Sequence, residues 1–92
     1  MNDGSVPMSK DAVTVVMRSH GWYLGMRMGH EMWEKDLRGK RFLVMAANGE
    51  DRAPKSLSTP VDVYEVGIDK DGDYEELSVT QYGHIMAALQ AY

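Results

Sequence analysis

Arg18-Ser19-His20-Gly21-Trp22-Tyr23-Leu24-Gly25-Met26-Arg27-Met28 is the stretch on which the fold turns, because the apolar period changes inside it. Upstream, Val13, Val16, Met17 and His20 fall at i, i+3, i+4 and i+7, the spacing of one helical face. Downstream, Trp22, Leu24, Met26 and Met28 alternate with Tyr23, Gly25 and Arg27, the pattern of a half-buried strand. Gly21 stands between them, where a helix-ending glycine belongs. The β-branched run Val13-Thr14-Val15-Val16 competes for a strand. Ser9 as N-cap, and Asp11 near the positive end of the helix dipole, favour the helix.

Working outward, Gly29 permits a tight reversal, His30 to Lys35 runs back, and Leu37-Arg38-Gly39-Lys40 turns the chain into a third strand, Arg41 to Met45. Ala47 to Pro60 reads as a loop or a short helical turn, and loops of that length are often binding elements. Val61 to Ile68 is a fourth strand, closed by a turn at Asp69-Lys70-Asp71-Gly72-Asp73. Ser78 and Gln81 spell a capping box, with Leu77 and Tyr82 at the staple positions and Tyr82, Ile85, Met86 and Leu89 as an apolar stripe. That pattern predicts a final helix starting at Ser78. The expected fold is α+β, in the order α-β-β-β-(β)-α, with an antiparallel sheet of three to four strands and a C-terminal helix. Residues 1–8 read as a flexible polar tail and residues 9–92 as a single domain, since a chain of 92 residues supports one core.

Composition narrows the chemistry. No cysteine is present, which excludes disulfides, thiolate metal sites and a cysteine nucleophile. No apolar run reaches the roughly 18–20 residues of a membrane span, and Met1 to Pro7 lacks the regions of a signal peptide, so the expected location is the cytoplasm. Residues 1–46 carry seven Lys/Arg against five Asp/Glu, a net of +2, whereas residues 47–92 carry three against nine, a net of −6. A nucleic-acid surface would have to use the first half, because phosphates are repelled by an acidic face.

At residues 18–46 the chain resembles HicA-type mRNA-interferase toxins, which have a double-stranded-RNA-binding-like fold. Those proteins place Gly-Trp after the first helix, a basic residue and Gly-Ser-His at the end of the first strand, an aromatic second strand, and a Gly-basic hairpin into an apolar third strand. Here Gly21-Trp22, Arg27-Met28-Gly29-His30, Trp33, Gly39-Lys40-Arg41 and Phe42-Leu43-Val44 occupy those places. The resemblance covers residues 9–46. It implies RNA binding or metal-independent endoribonuclease activity, with an antitoxin-like protein as partner and no cofactor. His30 would be the catalytic residue, taking a proton from a ribose 2′-hydroxyl. Arg27, Arg38, Lys40 and Arg41 would hold the phosphate.

Each candidate also has a plainer reading. His30 at a strand start serves equally as an exposed structural residue, and Arg38 to Arg41 as a solvated hairpin. His20 suits the negative end of the first helix, and three scattered histidines make no zinc site. Asp69 to Asp73 opens like a calcium-binding loop but lacks its glycine and bidentate glutamate, which favours an acidic β-turn. Of the eight methionines, most alternate toward the predicted core, and Met28 and Met32 beside His30 are the pair expected to be exposed. The acidic second half supports a different class of function. That class is a non-enzymatic protein-binding inhibitor encoded by a phage or mobile element, as anti-CRISPR proteins are, using Asp69, Asp71, Asp73, Glu75 and Glu76 against a host target. A homodimer joined by sheet edges is compatible with both.

Overall fold

A computed structural model describes residues 8–27, 29–47 and 52–92. The elements are α1 (Met8–Ser19), β1 (Tyr23–Arg27), β2 (His30–Leu37), β3 (Lys40–Ala46), β4 (Val61–Ile68), β5 (Tyr74–Tyr82) and α2 (Ile85–Ala91). The strands form one antiparallel meander in the order β1-β2-β3-β4-β5. The α+β class and the helix-sheet-helix order are those expected, with five strands in the sheet. The expected tail lies outside the described residues as far as residue 7. Met8 already belongs to α1, which places Ser9 inside the helix and not at its cap.

The handover after α1 is a Schellman motif. Gly21 takes φ +87°, Trp22 N–H donates to the Met17 carbonyl at 3.0 Å, and Gly21 N–H donates to the Arg18 carbonyl at 3.1 Å. Only glycine enters that backbone region without strain. The motif also brings Trp22 down beside Met17, and both are buried. Val13 and Met17 from α1 pack with Trp33, Phe42, Val44, Val61 and Val63 from the sheet and with Ile85, Ala88 and Leu89 from α2. Both helices therefore cover the same face of the sheet.

Lys35, on that face, fastens the two helix ends together. Its ammonium donates to the His20 carbonyl at 2.8 Å and to the main-chain oxygen of Tyr92, and it lies 5.8 Å from the centre of the Trp22 ring. A cation here meets the negative ends of both helix dipoles. Tyr92 completes the cluster against the rings of Trp22, Phe42 and Tyr82. Burial pushes its phenol up to about 12. Between about pH 10 and pH 12 the unfolded chain loses this proton while the folded chain keeps it, so stability is full below pH 10 and falls as pH rises through 12. Denaturation midpoints measured across that range should decline, and Tyr92→Phe should flatten the decline.

Two expectations change. Ser78 and Gln81 do not cap a helix: they lie in β5, paired with Glu65 and Asp62 of β4. A capping box is worth about 1 kcal/mol, whereas strand pairing along the length of β5 satisfies many main-chain groups at once. Helix α2 starts instead at Ile85, where His84 Nδ1 accepts from Ala87 N–H at 3.3 Å and the Leu57 carbonyl accepts from Ile85 N–H at 3.2 Å. The described part of Ala47 to Pro60 is a loop, as expected, and it folds back on the core. Ala53 and Leu57 pack against it, and Ala46 and Ala47 N–H bond to the Arg52 and Pro60 carbonyls. The second change is at Met32, which is buried with Leu43 and Val66 on the face away from the helices, while Leu24 and Met26 on edge strand β1 are exposed. Met28 lies outside the described residues.

Candidate functional site

The basic residues expected to hold a phosphate do not converge. His30 opens β2 opposite Arg27 of β1 and is exposed. Arg38, Lys40 and Arg41 lie at the other end of β2, roughly 20 Å away, since a strand rises about 3.3 Å per residue. Alternation then divides the second group. Lys40 is on the helix-covered face, 3.7 Å from Glu65 Oε2, whereas Arg41 is on the open face with Leu43. Arg38 sits in the turn between β2 and β3 at φ +55°.

Arg41 is already engaged. Its Nε and Nη2 donate to Asp36 Oδ1 and Oδ2 at 2.7 and 3.0 Å, a bidentate pair, and its Nη1 donates to the Tyr74 hydroxyl at 3.0 Å. Hydrogen bonds from Arg41 hold the Asp36 carboxyl below the usual carboxylate range, and those to Asp36 and Tyr74 raise the guanidinium further. Tyr74 in turn donates to Glu34 Oε1 at 2.7 Å. Glu34 is 4% exposed, a buried charge of the kind that requires a partner. Its other oxygen lies over Gly25: a Cβ added there would stand 2.0 Å from Oε2. Tyr23, opposite Glu34 in the register, borders the group, and burial raises its phenol. This polar network on the open face of the sheet was not visible in the sequence. Its only local signals are the carboxylates at 34 and 36 alternating with Trp33 and Lys35, and a glycine in the neighbouring strand.

The acidic candidates do cluster. The turn between β4 and β5 is organised by Asp69, whose Oδ1 accepts from Asp71 N–H at 2.9 Å and Asp73 N–H at 3.0 Å. Its own N–H donates to the Asp73 carbonyl at 2.9 Å, and Gly72 N–H donates to the Asp69 carbonyl at 3.0 Å. This is the acidic β-turn. Asp69 thus builds the turn, while Asp71, Asp73, Glu75 and Glu76 are exposed. Glu75 and Glu76 stand opposite Gly67 and Val66, on the two faces of the hairpin. Between residues 69 and 76 five carboxylates face one lysine, Lys70, a net of −4. Exposed apolar side chains border them: Ile68 at 58%, Leu77 at 55% and Val79 at 48%. A shallow cavity of about 440 Å3 opens beside Ile68, lined also by Val66, Gly67, Arg41 and Asp36.

Among the described residues no helix is long and apolar enough to cross a membrane, and no three His, Asp or Glu side chains come together as a metal site. Comparison of the chain with protein-family models, with curated proteins and with solved structures finds no match.

Proposed function

We propose that this domain is a non-enzymatic binding protein whose β4–β5 hairpin engages a basic surface of another protein, in the manner of a small phage-encoded inhibitor. The observation that carries the reading is the exposure of Asp71, Asp73, Glu75 and Glu76 around the apolar Ile68, Leu77 and Val79. Charge at the rim steers a partner and the apolar side chains supply area to bury, the usual division of labour in an interface. The basic side offers less, since Arg41 and Lys40 are paired with Asp36 and Glu65.

The test is affinity purification from the native host, followed by binding measurements on the purified partner. Asp71, Asp73, Glu75 and Glu76 are changed together to lysine, and Asp69 is kept because its carboxylate closes the turn. Binding should weaken by about 100-fold or more, and wild-type binding should fall with added salt. An affinity unchanged by the four reversals would remove the acidic interface.

A second reading keeps the RNA-directed chemistry at His30. It is favoured by the layout of α1, β1, β2 and β3 and by the exposure of His30 opposite Arg27 in the register. RNA incubated with the purified domain decides it: cleavage by wild type that His30→Ala abolishes would support this reading, and equal cleavage by both would end it.

A further inference from the structure

β5 is a sheet edge, paired on one side with β4 and exposed from Glu75 through Gln81. An edge this long presents a row of main-chain donors and acceptors to any other strand, unless something blunts it. Its first half is blunted twice. The register slips between Glu65 and Val66, leaving Leu77 as a bulge, and Glu75 and Glu76 place charge beside it. The second half, Ser78-Val79-Thr80-Gln81-Tyr82, is regular and uncharged.

We propose that two copies of this chain associate through these segments, antiparallel about a two-fold axis at Thr80, which joins two five-stranded sheets into one. Directly opposed residues in an antiparallel pair lie on the same face, which restricts the choice of axis. Ser78, Thr80 and Tyr82 stand opposite Glu65, Val63 and Val61, on the helix-covered face. Val79 and Gln81 stand opposite Tyr64 and Asp62, on the open face. An axis at Thr80 sets Thr80 against Thr80, Val79 against Gln81 and Ser78 against Tyr82, and every pair matches in face. An axis at Val79 carries Leu77 against Gln81, where the bulge puts side chains on opposite faces. An axis at Gln81 leaves only three residues paired. The Thr80 register also opposes no like charges and pairs two threonines, a favourable cross-strand combination.

The other edge, β1, is shorter at five residues and has Gly25 at its centre. A β1-to-β5 contact would be head-to-tail and build a ring or a filament, whereas β5-to-β5 closes as a dimer. Five paired residues bury less than the roughly 1,200 Å2 of a stable interface, so the dimer is weak and concentration-dependent. Each chain carries a net charge of −4, so the copies repel, and salt strengthens their association. That sign is opposite to the effect of salt on a basic partner at the acidic hairpin, so the two ideas fail separately.

Sedimentation equilibrium from about 10 μM to about 1 mM, at low and high salt, tests it. Wild type should pass from monomer to dimer across that range, with association at least several-fold stronger in high salt. Thr80→Lys opposes two ammonium groups at the axis and should stay monomeric, while Thr80→Val should still dimerise. Thr80 is exposed, so both variants should keep the fold. Amide exchange on wild type gives an independent reading, with slowing confined to residues 78–82 in the dimer. A wild type monomeric at the highest concentration and salt, a Thr80→Lys variant that dimerises like wild type, or slowing at Tyr23–Arg27 instead would each overturn the proposal.

Discussion

Trp22→Ala is expected to cost about 3–5 kcal/mol, the cost of truncating a fully buried tryptophan. A chain of this length stands only about 5–14 kcal/mol above its unfolded state, so the variant should be partly unfolded or should melt at a much lower denaturant concentration. The indole is 2% exposed and belongs to no regular element, yet three elements meet on it. Its main-chain N–H closes the end of α1 on Met17, Lys35 of β2 lies over its ring, and Tyr92 beyond α2 meets it edge-on at 6.5 Å. Truncation leaves a cavity where both helix ends converge, and short helices so placed cannot collapse to fill it without losing the Lys35 contacts. Trp22→Phe should cost far less. The buried Trp22 Nε1 has no protein acceptor among the described residues, so phenylalanine removes an unsatisfied donor along with the lost area. Urea denaturation of the three proteins checks the order. A Trp22→Ala loss under 1 kcal/mol would mean that the helix ends are held by other contacts.

Trp22 was also where the sequence could be read most clearly, and for a physical reason. A helix end, a positive-φ glycine and a period change are local signals, fixed by neighbours within a few residues. The hairpins at Arg38-Gly39 and Asp69 to Asp73 were legible for the same reason. What failed depended on distant partners. Ser78 to Gln81 carry a genuine capping pattern, but β4 supplies a row of strand partners that no local window contains. Met32 was expected in solvent because it neighbours His30, yet Leu43 and Val66 from two other strands bury it. The candidate site divides in the same way. Arg38 to Arg41 look like one basic patch along the chain, and strand alternation sends Lys40 and Arg41 to opposite faces. Four of the five acidic residues are exposed on one hairpin, Asp71 and Asp73 in its turn and Glu75 and Glu76 on the two faces of β5, and the fifth, Asp69, is the one that builds that turn.

Tyr74→Phe should cost about 1.5–3 kcal/mol although it removes one oxygen and keeps the ring. That hydroxyl stands between Arg41 and Glu34, accepting from one and donating to the other. Arg41 retains its bidentate pair with Asp36 when the hydroxyl is gone. Glu34 does not fare so well: it is a nearly buried carboxylate that loses its donor, and leaving such a group unpaired costs more than the bond itself contributed. Gly25→Ala attacks the same carboxylate from the other side, since a methyl group there would occupy the place of Oε2. The two substitutions should therefore be strongly non-additive, the second adding little once the first has displaced Glu34, and in a Glu34→Ala background neither should cost much. Equilibrium denaturation of this set separates two views of the open sheet face. Strong coupling makes Glu34 a structural charge, fixed in place so that β1 can lie close against β2 at Gly25. A Tyr74→Phe loss below about 0.5 kcal/mol, additive with Gly25→Ala, would instead mean that the network does not stabilise the fold, and the Glu34 carboxylate would then be the first place to look for a ligand on that face.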